Sequence, residues 1–164
     1  MKKSALKEKV KIGLSDEARR KAADVLTGIL ADQHVLYLKT RNFHWNLTGY
    51  RFRTLHAFFE DQYEALATAI DETAERIRML GAVSPGSMAE MLKCAKLSET
   101  PGALIEGQDA LKALHADNEA VVRHLRDAIE ILEEECKDAG TADFVTGLIR
   151  DHEKLTWMLR SHIE

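Results

Sequence analysis

The sequence predicts an all-α fold: a four-helix bundle with a short extra helix in the crossover between helices 2 and 3. Three observations point there. Apolar residues recur at helical spacing over four long stretches. Two prolines and nine glycines are spread over 164 residues, and β-branched runs are scarce. The break between the second and third stretches is long, whereas the other two are short. At 45% hydrophobic residues the chain can bury one core, which suits a single domain. No apolar run approaches the ~18 residues of a transmembrane helix.

Ser15 is the expected N-cap of the first helix, with Asp16 and Glu17 where acids favour the helix dipole. That helix carries Leu26, Ile29, Leu30, Tyr37 and Leu38 and runs to about Asn46, where Thr48-Gly49 breaks it. A second helix runs from about Phe52 to Leu80 over Leu55, Phe58, Phe59, Leu66, Ile70 and Ile77, and Gly81 ends it. Ser84-Pro85-Gly86 opens a short helix, about Ser87 to Ala95. After the break at Ser98–Gly102, a third long helix is expected from about Leu104 to Asp138 over Leu111, Leu114, Val121, Leu125, Ile129 and Leu132. Ala139-Gly140 is the expected stop, and Thr141 the cap of a fourth helix to about His162, with Phe144, Leu148, Leu155, Trp157 and Leu159 as apolar contacts. One long crossover between the second and third long helices is the ferritin-like arrangement. Residues 1–14 read as a Lys-rich tail and residues 15–164 as the bundle domain.

The formal net charge is −4, from 23 basic and 27 acidic side chains. A mildly acidic body concentrates cations and does not attract a polyanion. The tail is the exception: Lys2, Lys3, Lys7, Lys9 and Lys11 stand there against a single acid, Glu8. With no base-reading motif in the chain, DNA contact through these lysines is expected to be sequence-independent and salt-sensitive. Cys94 and Cys136 lack metal-type spacing and are expected to be free thiols. Met1-Lys2-Lys3-Ser4-Ala5-Leu6 lacks the apolar core of a signal peptide, so cytoplasmic residence is the expectation.

The chemistry concentrates in one stretch. His44 and His56 flank the Thr48-Gly49 turn, and Asp71 and Glu75 follow one helical turn apart. Imidazoles and carboxylates are the ligand set of a divalent transition metal. His56 and Glu60 share a helix face, as do Asp71 and Glu75. If the turn folds two helices antiparallel, the two histidines face each other. His56 and Asp71 are 15 residues apart on one helix, roughly 22 Å at ~1.5 Å per residue. One chain therefore cannot close a site from both groups, whereas a second copy about a two-fold axis brings one half-site against the other. The alternative is a pair of capping histidines and an exposed acidic turn.

The run Thr40-Arg41-Asn42-Phe43-His44-Trp45-Asn46-Leu47-Thr48-Gly49-Tyr50-Arg51-Phe52, then Leu55-His56, then Asp71 with Ala74-Glu75-Arg76, resembles the Dps family, the DNA-protecting mini-ferritins. The stretch from Thr141-Ala142-Asp143 through Asp151, Lys154, Trp157 and Ile163 is also similar. The resemblance implies a dodecameric hollow shell, ferroxidase sites at two-fold interfaces, oxidation of Fe(II) to Fe(III) preferably by hydrogen peroxide rather than oxygen, and storage of ferric mineral. By position, His44, His56 and Glu60 come from one subunit and Asp71 and Glu75 from its mate. Glu60 stands where family members often carry aspartate.

Trp45, beside His44, is placed to pack over the site, to intercept a radical, or to pack in an interface. Arg76 is expected to orient a carboxylate or make a surface ion pair. Asp138 and Asp143 lie at the turn where the family has an acid-lined pore, although Asp143 also suits a helix N-terminus. Zn(II) or another divalent metal fits the same ligands. The contrasting function is a DNA-compacting nucleoid protein with little iron chemistry. None of the seven histidines has a glutamate three residues before it, so the Glu-x-x-His site of larger ferritins is not expected.

Overall fold

A computed structural model describes residues 5–163. Helix α1 spans Asp16–Asn46, and the Ser15 side chain caps it by accepting the Ala18 N–H. A short turn leads into α2, Phe52–Met79, which returns along α1. Leu80 then closes the helix, and Gly81 leaves it at φ +82°. The small helix α3, Met88–Cys94, starts from a Ser87 cap whose hydroxyl also donates to Glu90 Oε2. Helices α4, Gly107–Glu134, and α5, Ala139–Arg160, form the second hairpin. The architecture is the ferritin-like bundle with a short helix in the crossover. Its core holds Leu26, Leu30, Phe43, Leu55, Phe59, Leu111, Leu114 and Leu125. Among the described residues no helix is long and apolar enough to cross a membrane.

The ends of α4 differ from expectation. It begins at Gly107, not near Leu104, because Ile105–Glu106 (β2) pairs in parallel with Leu47–Thr48 (β1). This ladder fixes the level of α1 against α4. At the other end the helix stops at Glu134, and Lys137 takes a left-handed φ of 53°. Asp138, not Thr141, caps α5: its Oδ1 accepts the Thr141 N–H at 3.0 Å, and its Oδ2 accepts the Thr141 hydroxyl at 2.5 Å. Ala139-Gly140, expected as a stop, therefore forms the first turn of α5. A carboxylate is a strong N-cap, and here it holds two hydrogen bonds at once.

Two buried ionic residues lock the long crossover and the first segment. Asp32 Oδ1 accepts the backbone N–H groups of Lys96 and Leu97 at 2.7 and 2.9 Å, while Oδ2 accepts from His124 Nδ1 at 3.0 Å. The crossover is thereby tied to α1 and α4. Arg19 donates to the Leu80 carbonyl at 2.7 Å and to Asp16. The N-terminal segment crosses the same end of α2. Leu6 bridges Ala82, Lys7 donates its N–H to the Gly81 carbonyl, and Glu8 pairs with Arg78. A Cβ on Gly81 would lie 2.8 Å from both Arg19 Nη1 and Val10 Cγ2, so the left-handed glycine also gives this crossing its clearance.

Candidate metal centre

His44 sits in the last turn of α1, and His56 in the first turns of α2. The hairpin brings them face to face, with ring centroids 3.6 Å apart and planes 19° from parallel. His44 Nδ1 lies 2.8 Å from the His56 carbonyl, and His56 Nδ1 lies 2.9 Å from the His44 carbonyl. A carbonyl only accepts, so both Nδ1 atoms carry the proton. Both Nε2 atoms then keep a lone pair, the state in which imidazole binds a metal. The reciprocal pair also fixes the orientation of both rings.

Glu60, one turn after His56, accepts the Tyr63 hydroxyl at 3.1 Å. Tyr63 presents its ring edge-on to His44 at 5.2 Å. Burial, then the bond to Glu60, pushes the Tyr63 hydroxyl pKa up, so it stays a donor. The Arg41 guanidinium lies 4.7 Å from the Tyr63 ring centre and 5.1 Å from that of Trp45, and it donates to the Tyr37 hydroxyl at 2.6 Å. Trp45 itself is exposed.

Asp71 and Glu75 stand farther along α2, both exposed, and their side chains make no hydrogen bond or ion pair to the described residues. Helix α2 is unbroken from Phe52 to Met79, so the helix-rise separation of His56 from Asp71 applies. Among the described residues no three His, Cys, Asp or Glu side chains gather closely enough to hold a metal ion. The structure thus joins His44 to His56, with Glu60 a turn away, and leaves the two later acids apart from them.

The other sequence-singled residues have separate places. Asp138 is buried as the α5 cap and lies 3.5 Å from Arg76, while Asp143 is exposed in the first turns of α5. Arg76 donates to the Thr141 hydroxyl from Nε and Nη2, at 3.0 and 2.9 Å, and does not orient Glu75. Lys7, Lys9 and Lys11 are exposed along the segment anchored at Gly81. Lys2 and Lys3 lie outside the described residues.

The ferritin-like domain family matches residues 23–164. The DNA protection during starvation protein 2 of Bacillus anthracis is 36% identical over 145 residues, covering 88% of this chain and 97% of that protein. The chain belongs to the Dps family. A low temperature-induced protein of Nostoc is 42% identical over 95% of this chain and 87% of its own. The crystal structure of a Dps protein from Vibrio cholerae superposes with a TM-score of 0.87 at 38% identity, over 93% of this chain and 94% of that one. That protein is described as a member of a broad superfamily of ferritin-like diiron-carboxylate proteins.

Tyr63, Arg41 and Tyr37 of this Dps chain stand near the histidine end without having been expected there. Tyr63 stands three residues from Glu60 and seven from His56, on the same helix face, so the 3.6-residue period could have found it. Arg41 and Tyr37 come from the facing helix, and only the hairpin brings them near.

Proposed function

We propose that the chain is a ferroxidase and iron-storage protein. Fe(II) is its substrate, hydrogen peroxide its preferred oxidant and oxygen the other. Ferric mineral collects inside a hollow homo-oligomeric shell, a dodecamer. The carrying observation is the histidine pair: two rings locked by each other's backbone carbonyls, with both Nε2 lone pairs left for a cation.

In this reading His44, His56 and Glu60 of one copy meet Asp71 and Glu75 of its two-fold mate. The isolated, unpartnered state of those two acids supports it. So does the apolar surface near the histidine end, where Trp45, Tyr50, Phe52 and Leu104 are all exposed. Peroxide takes two electrons and each Fe(II) gives one. Two irons and two protons therefore reduce one peroxide to water, without releasing hydroxyl radical. Trp45, next to His44 in the chain and exposed, is the aromatic able to take up a stray oxidising equivalent. Zn(II) competes for the same ligands. Asp143 is the exposed acid for iron entry, since Asp138 is occupied as a cap. The setting is the bacterial cytoplasm or nucleoid.

The test is anaerobic Fe(II) loading followed by stoichiometric peroxide, read by ferric absorbance. His56→Ala and Asp71→Asn, each alone, should slow oxidation on the order of 100-fold with assembly intact. Co-assembling the two variants in equal amounts should return about a quarter of wild-type activity, because half the two-fold pairs are mixed and each mixed pair has one intact site. A mixture no faster than either variant would place the two half-sites in separate roles.

The exposed Lys7, Lys9 and Lys11 favour a second role, contact with DNA phosphates, multiplied over many subunits. Replacing all three with Glu should abolish DNA retardation in a low-salt gel while leaving iron oxidation unchanged. Unchanged retardation would remove these lysines from the role.

A further inference from the structure

The middle of the bundle carries a polar layer that the iron chemistry does not use. Gln33, Gln62, Asn118 and His152 come one from each long helix and are 1%, 5%, 1% and 5% exposed. The backbone places Gln33 and Asn118 at about the same level. Leu47 and Ile105 are partners in the parallel ladder. Gln33 lies 14 residues before Leu47 and Asn118 lies 13 after Ile105. Both therefore stand roughly 20 Å below the ladder at ~1.5 Å per residue. Gln62 is ten residues into α2 from the same end.

The hydrogen bonds of this layer are incomplete. Asn118 donates to the Leu114 carbonyl at 2.8 Å, and its Oδ1 accepts from His152 Nδ1 at 2.8 Å. The proton on Nδ1 leaves Nε2 as an acceptor. Burial holds the His152 pKa down to about 4, so the ring is neutral near pH 7. Both amide atoms of Gln33 and both of Gln62 have no partner among the described residues. A buried polar group without a partner costs about 1–3 kcal/mol, so such groups rarely go unused.

Gln62 and His152 also line a cavity of about 340 Å³ between α2 and α5. Its other walls are largely apolar, Leu66, Leu148 and Leu155 among them. The volume falls at the small end of known small-molecule sites. We propose that this cavity binds a small neutral molecule of the phenol class, with an apolar body and one hydroxyl group. The hydroxyl donates to His152 Nε2 and accepts from the Gln62 amide. The terminal torsion of glutamine is soft, so the amide turns toward the cavity at little cost. Two glutamines, an asparagine and a neutral histidine offer no full charge, so the layer favours neither cation nor anion. The charged lining residues Asp61, Asp151 and Lys154 are all exposed to water.

Phenol and toluene separate the polar contribution from the apolar one. Titrated calorimetrically into the assembled protein, phenol should bind saturably, at one per chain, about tenfold more tightly than toluene. Gln62→Leu should narrow the preference for phenol over toluene, the hydrogen bond to His152 Nε2 keeping the remainder, and Leu155→Trp should abolish both by filling the cavity. Thermal unfolding checks that each variant is folded, and Gln62→Met replaces Gln62→Leu if the latter fails to assemble. The proposal is overturned by non-saturable phenol binding, by equal affinities in the wild type, by an unchanged phenol preference in the Gln62 variant, or by phenol binding that survives Leu155→Trp.

Discussion

The two ends of the proposed metal-ligand stretch on α2 are built in opposite ways. At the histidine end, each ring is held by a carbonyl of the facing helix, Glu60 is held by Tyr63, and Arg41 lies against the Tyr63 and Trp45 rings. Asp71 and Glu75, on the same helix, are exposed and bare. The histidine half is prepared inside one chain, where imidazole needs a fixed tautomer to act as a ligand. The acid half needs no such preparation, because an ionised carboxylate in water already has its lone pairs and charge available. The proposed sharing of the site between two copies would put its folding cost on one half and its dependence on assembly on the other.

That contrast can be broken or sharpened by experiment. The largest effect on stability belongs to a third histidine, which sets the pH window for every other test. His152 has a pKa of about 4 in the fold against 6.5 when unperturbed. The folded state resists protonation of this ring, so its contribution is whole above pH 6.5. It is lost as pH falls, because the unfolded chain binds the proton first. The loss saturates below the folded value at about 3 kcal/mol. Wild-type stability should fall over this window in acid unfolding curves, and His152→Gln should flatten that part of the profile. An equal slope in both would return the acid sensitivity to other groups.

Next in size, His44→Ala should cost about 2 kcal/mol, since it deletes a buried ring and its hydrogen bond to the His56 carbonyl. Asp71→Asn should change stability by less than about 0.5 kcal/mol. Thermal unfolding of the pair decides whether only one half-site is part of the fold, and similar losses would erase the contrast. Asp138→Ala should cost about 1–2 kcal/mol through the lost cap of α5. Asp143→Asn should leave melting unchanged and slow iron uptake, and unchanged uptake would remove Asp143 from the entry path. The smallest effect is expected for Tyr63→Phe. It frees Glu60 without removing a ligand, so Fe(II) affinity should fall by no more than about tenfold while assembly is kept. A larger loss, or loss of assembly, would make the tyrosine part of the frame rather than a support for Glu60.

Much of this was legible along the chain. The Ser15 cap, the Gly81 stop and the Ser87 start all carry local chemistry, and the structure places each boundary within a residue or two of its expected position. The continuity of α2 was legible from its period, and with it the separation of His56 from Asp71. The errors fall where partners distant in sequence compete with local signals. Ala139-Gly140 looks like a helix stop, but Asp138 recruits Thr141 and draws both residues into α5. Leu104 looked like a helix start, yet β2 pairs with β1 at a separation of 58 residues.

By itself the sequence determined the fold class, the helix positions and the residue types able to hold a metal, because periodicity, caps and side-chain chemistry are properties of neighbours along the chain. Only the tertiary structure decided which nitrogen of His44 and His56 stays free, that Arg41 and Tyr63 stand near them, and that Asn118 of α4 holds His152 of α5 in the core. Those facts depend on the relative level and rotation of packed helices. A small ladder at one end of the bundle and the packing of many apolar side chains set them together, and no local stretch encodes them.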